Sequence, residues 1–235
     1  SPSELEAMGA DTAAIFAGDG TISSVVAGWS SWRGTILALP GGTMNLLARR
    51  LHGDATALEI LERFHGGAFH RVRPTVILSR HAVGFTGALA GPGTAWAEVR
   101  EAMREPTLKD LVSTAGEAIA ASTGAAKVVC LNEGCGREEG YTAISLNPVD
   151  DGIEGSGYYA DSLIDFARHS FALLQRDFRS GPHESLGRHA RIRLACSEGE
   201  PMGLLIDGEI YTGAVEEEFV LSTSEVDFWA TAGAS

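Results

Sequence analysis

Ala13-Ala14-Ile15-Phe16-Ala17-Gly18-Asp19-Gly20-Thr21 is a short apolar run that stops in a glycine–aspartate–glycine turn. A helical pattern follows at once, with Ile22, Val25, Val26 and Trp29 at i, i+3, i+4 and i+7. The figure then repeats: Thr35 to Leu39 is apolar, Pro40-Gly41-Gly42 stops it, and the spacing of Met44, Leu47, Ala48 and Leu51 predicts a second helix starting at Thr43. A third helix is predicted over Ala55 to Phe64, closed by His65-Gly66-Gly67, where glycine suits a C-cap. Strand, turn and helix, twice over, is the grammar of a parallel α/β unit. Ligands of open parallel sheets bind outside the carboxyl ends of the strands, so both glycine turns are candidate sites. Glycine lets backbone N–H groups approach a phosphate, and the helix start behind each turn offers unpaired donors. Thr21 and Thr43 suit either an N-cap or a hydroxyl donated to phosphate. Asp19 either caps its helix, orients Mg²⁺ carried by a nucleotide, or holds a reacting hydroxyl.

Beyond residue 72 the pattern changes to strands with inserted helices. Val72 to Ser79, Ala126 to Leu131, Tyr141 to Leu146 and Met202 to Ile206 read as strands. Ala190, Ile192, Leu194 and Cys196 alternate with Arg191, Arg193 and Ala195, the period of a half-buried strand. Asn132 to Gly140 reads as a polar hairpin connection, and Leu163, Phe166, Ala167, Phe171, Leu174 and Phe178 as the apolar stripe of a long helix. Gly91-Pro92-Gly93-Thr94, before a helix, reads either as an ordinary turn and N-cap or as a further phosphate loop, the first being preferred. These readings divide the chain into an α/β half over residues 1–72 and a strand-rich half over 73–235.

Composition narrows the function. The chain has 235 residues, 18 basic and 31 acidic, for a net charge of −13. A nucleic-acid binder needs a basic surface that displaces counterions, so that class is excluded. The same charge opposes bulk electrostatic docking on anionic lipid. No apolar run approaches the roughly 20 residues that cross a bilayer, and 44 % apolar content argues against disorder. Cys130, Cys135 and Cys196 are few, odd in number and unlike zinc spacings, so they are expected to be reduced, small apolar or loop side chains in a cytoplasmic protein. The histidines show no ligand spacing such as H-E-x-x-H.

Taken together, Ala17-Gly18-Asp19-Gly20-Thr21 and Leu39-Pro40-Gly41-Gly42-Thr43-Met44-Asn45-Leu46-Leu47-Ala48-Arg49 resemble the diacylglycerol kinase catalytic-domain family, which includes bacterial lipid kinases and sphingosine kinases. That family carries a GGDGT turn and a P-x-G-T-x-N-x-x-A-R segment in this order. Leu205-Ile206-Asp207-Gly208-Glu209 resembles its C-terminal D-G-E motif, and Asp151-Gly152-Ile153 a D-G-L loop that holds a structural Mg²⁺ in some bacterial members. The resemblance implies an α/β nucleotide-binding domain followed by a β-sandwich domain, with ATP and lipid meeting in a cleft. It implies that Ala17, Gly18, Asp19, Gly20, Thr21, Ile22 and Ser23, with Gly42, Thr43 and Asn45, cradle the phosphates of ATP–Mg²⁺. Glu209 would be the general base that takes the proton of the lipid hydroxyl, with Asp207 and Asp19 beside it, and Asp151 and Ile153 would hold the structural metal.

The expected activity is ATP- and Mg²⁺-dependent transfer of a phosphoryl group to a lipid hydroxyl, such as that of diacylglycerol, by a cytoplasmic protein transiently associated with the membrane surface. Homodimerisation stays open. Family members carry a further strand and helix before the GGDGT turn, starting with an N-P-x-S-G loop; only 16 residues precede Ala17, so either the sequence begins late within a longer protein or the nucleotide-binding half is shortened. The alternative is therefore a catalytically impaired nucleotide- or lipid-binding protein on the same fold. NAD kinase, a lesser alternative, shares the GGDGT turn, and Leu131-Asn132-Glu133 resembles its N-E motif; the stretch from Pro40 to Arg49 fits lipid kinases better.

Overall fold

A computed structural model describes residues 1–42, 45–92, 127–158 and 183–231. The chain forms two compact units, Ser1–Val76 with Ser222–Ser235 and Ile77–Leu221.

The first unit contains α1 (Pro2–Ala7), β1 (Thr12–Ala17), α2 (Asp19–Ala27), β2 (Thr35–Pro40), α3 (Leu46–His52), α4 (Ala57–His65), β3 (His70–Val72) and the start of β4 (Thr75–Leu78). The end of β14 (Glu216–Thr223) and β15 (Asp227–Ala230) complete it. Its sheet runs β1-β2-β15-β3, with β1, β2 and β15 parallel and β3 antiparallel to β15. β2 is buried from Thr35 to Leu39, as befits a central strand of a parallel sheet covered on both faces. Ile60 of α4 packs on Leu37 and Leu39, with Phe64 and Trp229 at the margin. α4 starts in a capping box: the Thr56 hydroxyl accepts from the Glu59 amide, and the Glu59 carboxylate accepts from the Thr56 amide. A sequence division at 72/73 assigns β15 to the second half, yet the chain returns it to the first sheet. The apolar Phe228 is fully buried beside β2, which outweighs its distance along the chain.

The second unit adds β5 (Val83–Gly84), β6 (Ala88–Pro92), β7 (Val128–Cys130), β8 (Ala143–Val149), β9 (Gly152–Tyr158), β10 (His183–His189), β11 (Arg191–Cys196), β12 (Met202–Ile206) and β13 (Glu209–Thr212). Two sheets, β10-β9-β8-β6-β12-β13 and β5-β4-β14-β11-β7, share one apolar core. Ile144, Leu146, Met202, Leu204 and Ile206 of the first meet Val128, Ile192, Leu194 and Phe219 of the second, so the expected β-sandwich is present.

Several local expectations change. Val72 to Ser79 is not one strand: Arg73-Pro74 interrupts it, because proline has no N–H for the ladder. The second helix begins at Leu46 rather than Thr43, because Asn45 sits in the left-handed region at φ 51° and cannot be its interior. Asn132 to Gly140 is not a hairpin connection. β7 pairs with β11 and β8 with β6 and β9, so this segment passes from one sheet to the other, with a single bridge between Val128 and Tyr141. Within it Cys130 and Cys135 form a disulfide, correcting the expectation of three reduced cysteines. The turn from Asn132 to Cys135 brings their Cα atoms to 5.8 Å, inside bridging range. Cys196 is buried in the sandwich. The predicted stripe from Leu163 to Phe178, and Gly93-Thr94, lie outside the described residues.

Candidate functional site

The first cluster of predicted residues lies at the carboxyl ends of β1 and β2, where Ala17 and Pro40 are register partners. The Gly41 amide donates to the Ala17 carbonyl at 3.1 Å. A Cβ on Gly41 would fall 2.6 Å from the Ala17 nitrogen, and one on Gly42 would fall 2.5 Å from the Gly18 Cα. Only glycine lets the two turns lie flank to flank.

Asp19, 8 % exposed, is the link between them. Its two carboxylate oxygens accept the amides of Leu46 and Leu47, each at 2.9 Å. Asp19 therefore caps a helix, but α3 rather than its own. Asn45 turns back on Gly42: its Oδ1 accepts the Gly42 amide at 2.7 Å and its Nδ2 donates to the Gly42 carbonyl at 2.8 Å. The donors at the start of α3 and the Gly42 N–H are thus engaged by side chains. α2 differs: Gly18 is its N-cap at φ −79° and ψ 167°, and no side chain caps the helix. Its first N–H groups and the positive end of its dipole are chemistry that suits an anion. Gly20 and Thr21 stand on that first turn with Thr21 exposed; Ser23 is half-buried one step on. Ile22 is buried, and its amide donates to the Gly18 carbonyl at 3.1 Å, so it anchors α2. Thr43 lies outside the described residues.

The second cluster is the β12–β13 hairpin. Asp207 and Gly208 form its two-residue turn with φ 47° and 89°, the left-handed pair of a type I′ turn. The D-G turn and the D-G-E motif are therefore the same object. Asp207 is 8 % exposed. Oδ2 accepts the Phe85 amide at 2.7 Å, and Oδ1 accepts the Thr86 amide at 2.8 Å, the Thr86 hydroxyl at 2.7 Å and the Gly87 amide at 3.2 Å. A carboxylate with four donors holds the 85–87 segment on the hairpin. Glu209 starts β13, exposed, with its carboxylate unpartnered among the described residues. Tyr211, two residues on and on the same face, has its phenol pushed above the ordinary value by burial first, then by the charges of Glu209 and Asp207. Of the three carboxylates predicted to act together, Asp19 and Asp207 each organise backbone inside their own unit, and Glu209 alone is left open.

The residues predicted for a structural metal do not make a cage. Asp151 accepts both its bonds from Arg188 Nη1, at 2.9 and 3.0 Å, and Ile153 is fully buried in the ladders of β9. No group of three metal-binding side chains occurs among the described residues. Asn132 of the N-E pair is structural as well: its Nδ2 donates to the Arg191 carbonyl at 2.7 Å and its Oδ1 accepts the Arg193 amide at 2.9 Å. Sequence reasoning missed the Phe85–Gly87 backbone that Asp207 grips, since nothing local marks a partner 120 or more residues away. It also missed Glu217, which the spacing of Glu216-Glu217-Glu218 presents as one of three surface acids.

Comparison with known proteins finds a family over the segment that contains the first cluster. Residues 3–76 match the family model described as the diacylglycerol kinase catalytic domain. Among curated proteins nothing matches. Solved structures share the fold over nearly the whole chain. Two crystal structures from Bacillus anthracis strain Sterne, one described as "a putative diacylglycerol kinase" and one as a diacylglycerol kinase, align with TM-scores of 0.60 and 0.61 at 15 % identity. They cover 96 and 97 % of this chain and 78 and 80 % of their own.

Proposed function

We propose, starting from the diacylglycerol kinase catalytic-domain match over residues 3–76, that this chain is a kinase that transfers the γ-phosphoryl group of ATP–Mg²⁺ to the hydroxyl of a membrane lipid such as diacylglycerol. The observation that carries the reading is the pair of glycine turns pressed together at the ends of β1 and β2, with α2 opening uncapped beside them.

In this reading the N–H groups of the first turn of α2 bind nucleotide phosphate, with Gly18 and Gly20 allowing close approach. Phosphoryl transfer is driven mostly by positioning and charge neutralisation, and Mg²⁺ arrives as part of the nucleotide substrate. Asp19 keeps both glycine turns in register by holding α3, a positioning role consistent with its two backbone bonds. Glu209, the open carboxylate, takes the proton from the acceptor hydroxyl as that oxygen attacks phosphorus. Asp207 holds the hairpin that presents Glu209. No helix among the described residues is long and apolar enough to cross a membrane. In this reading the enzyme meets its lipid at the bilayer surface as a peripheral protein.

The test is phosphate transfer from labelled ATP–Mg²⁺ to diacylglycerol in mixed vesicles. Glu209→Gln should lower turnover by about 10²-fold or more, the range of a removed general base, with nucleotide binding retained. Equal turnover by the wild type and Glu209→Gln would sink the assignment. Nucleotide binding by calorimetry without transfer to any lipid would favour a binding protein on this fold.

A further inference from the structure

Glu217 is a carboxylate on the wrong face of its strand. It is the register partner of Leu194 in the β11–β14 ladder, and its side chain is 0 % exposed. An apolar residue would ordinarily occupy such a position, and replacing buried ion pairs by well-packed apolar groups is often neutral or stabilising. Glu217 is compensated instead. Oε1 accepts the Ala214 amide at 2.6 Å and His81 Nε2 at 3.0 Å, while Arg80 Nε lies 3.0 Å from Oε2 as an ion pair.

The aromatic partner of this carboxylate is the His81 imidazole, at 3.0 Å. Ser79 Oγ accepts the His81 amide at 3.1 Å, so backbone and ring are both restrained. The ring in turn lies against Tyr211, with centroids 5.9 Å apart and planes inclined by 36°. Tyr211 and Glu209 project from the same face of β13, opposite the buried Leu204 and Ile206 of β12. β13 is a four-residue edge strand, laddered to β12 on one side only, and Tyr211 is the side chain through which it meets His81. The segment carrying His81 is fixed again a few residues on, where Asp207 grips Phe85, Thr86 and Gly87.

We propose that His81, locked on buried Glu217 and packed on Tyr211, is a positioning residue that holds β13 and thereby the Glu209 carboxylate. The proposal rests on Glu209 acting as the base, but the contact itself is tested independently of activity. Amide hydrogen exchange read by mass spectrometry reports the strand directly. His81→Ala should raise exchange over residues 209–212 by about tenfold and leave β8 and β9 unchanged. In the kinase assay it should lower kcat, counted per folded enzyme, by about tenfold with KM for ATP unchanged; because an unfolded fraction would also lower apparent kcat at constant KM, the folded fraction is measured alongside by denaturant unfolding. Tyr211→Ala should reproduce both effects and Tyr211→Phe, which keeps the ring, neither. Glu217→Gln, which keeps an acceptor for His81 and Ala214, should give a smaller effect than His81→Ala. Unchanged exchange at 209–212 in both His81→Ala and Tyr211→Ala, or equal acceleration throughout the sandwich, would overturn the proposal. A wild-type protein without transfer activity would overturn the role of Glu209 instead, and the exchange result would still decide the contact.

Discussion

His52 gives the sharpest quantitative expectation. It is the last residue of α3, 1 % exposed, and its Nδ1 accepts the Thr231 amide at 3.3 Å and lies 3.0 Å from the Thr231 hydroxyl. It thus ties the end of α3 to the chain leaving β15. Its Nε2 is buried without an aligned partner. Burial is the main cause that lowers its pKa from 6.5 to about 4; the nearby Arg63 charge adds to this, and the Ala38 carbonyl opposes it. An unfolded chain therefore binds this proton near pH 6.5, while the folded one refuses it until about pH 4. The contribution to stability is complete above pH 6.5 and disappears as the pH falls through 4. A gap of 2.5 units between those values corresponds to about 3.4 kcal/mol at most, of which about 2.5 is lost between pH 7.5 and 4.5. That is a large share of the 5–15 kcal/mol typical of a folded protein (~0.1 kcal/mol per residue). Denaturant unfolding of the wild type and His52→Asn at both pH values isolates the effect, because every other acid-sensitive group is common to both. The wild type should lose about 2.5 kcal/mol more than the variant on acidification. Parallel pH profiles would show that the imidazole is not buried neutral, and the linkage would fail.

The two structural carboxylates should separate from the open one. Asp19→Ala leaves two α3 amides without their acceptor and should cost about 2 kcal/mol in denaturant unfolding; an unchanged midpoint would refute the cross-helix cap. Asp207→Ala should destabilise the sandwich by about 3 kcal/mol through Phe85, Thr86 and Gly87, whereas Glu209→Gln should stay within about 0.5 kcal/mol; equal melting losses would place Glu209 in the framework. Gly42→Ala drives a methyl into the Gly18 Cα and should cost about 1–3 kcal/mol and weaken ATP binding, read by thermal shift with and without nucleotide. Unaltered melting and binding would mean that the turns are not in van der Waals contact.

Much of the fold was legible because it is local. The run Ala13 to Ala17, the repeat at Thr35 to Leu39, and the helical spacing after each turn are periodic signals that packing here does not override. Thr56 and Glu59 form the capping box where the third helix was expected, and the alternation from Ala190 to Cys196 is a strand over Arg191–Cys196. The helix start at Thr43 and the single strand from Val72 to Ser79 misread backbone conformation at Asn45 and Pro74, which spacing does not encode. The Cys130–Cys135 bridge escaped notice because cysteine spacing says nothing about how a loop turns.

The sequence alone determined where the local motifs lie: two glycine turns with Asp19, and the Asp207-Gly208-Glu209 hairpin. Their types and local order are set by short-range rules of glycine conformation, helix starts and D-G turns. Only the tertiary structure decided what each carboxylate does. Asp19 meets Leu46 and Leu47, Asp207 meets Phe85 to Gly87, and Glu217 meets His81, each across 27 to 136 residues of chain. A carboxylate looks alike in sequence whether it is buried or exposed. Its role follows from the donors around it, since a buried charge must be satisfied and an open one is left to react.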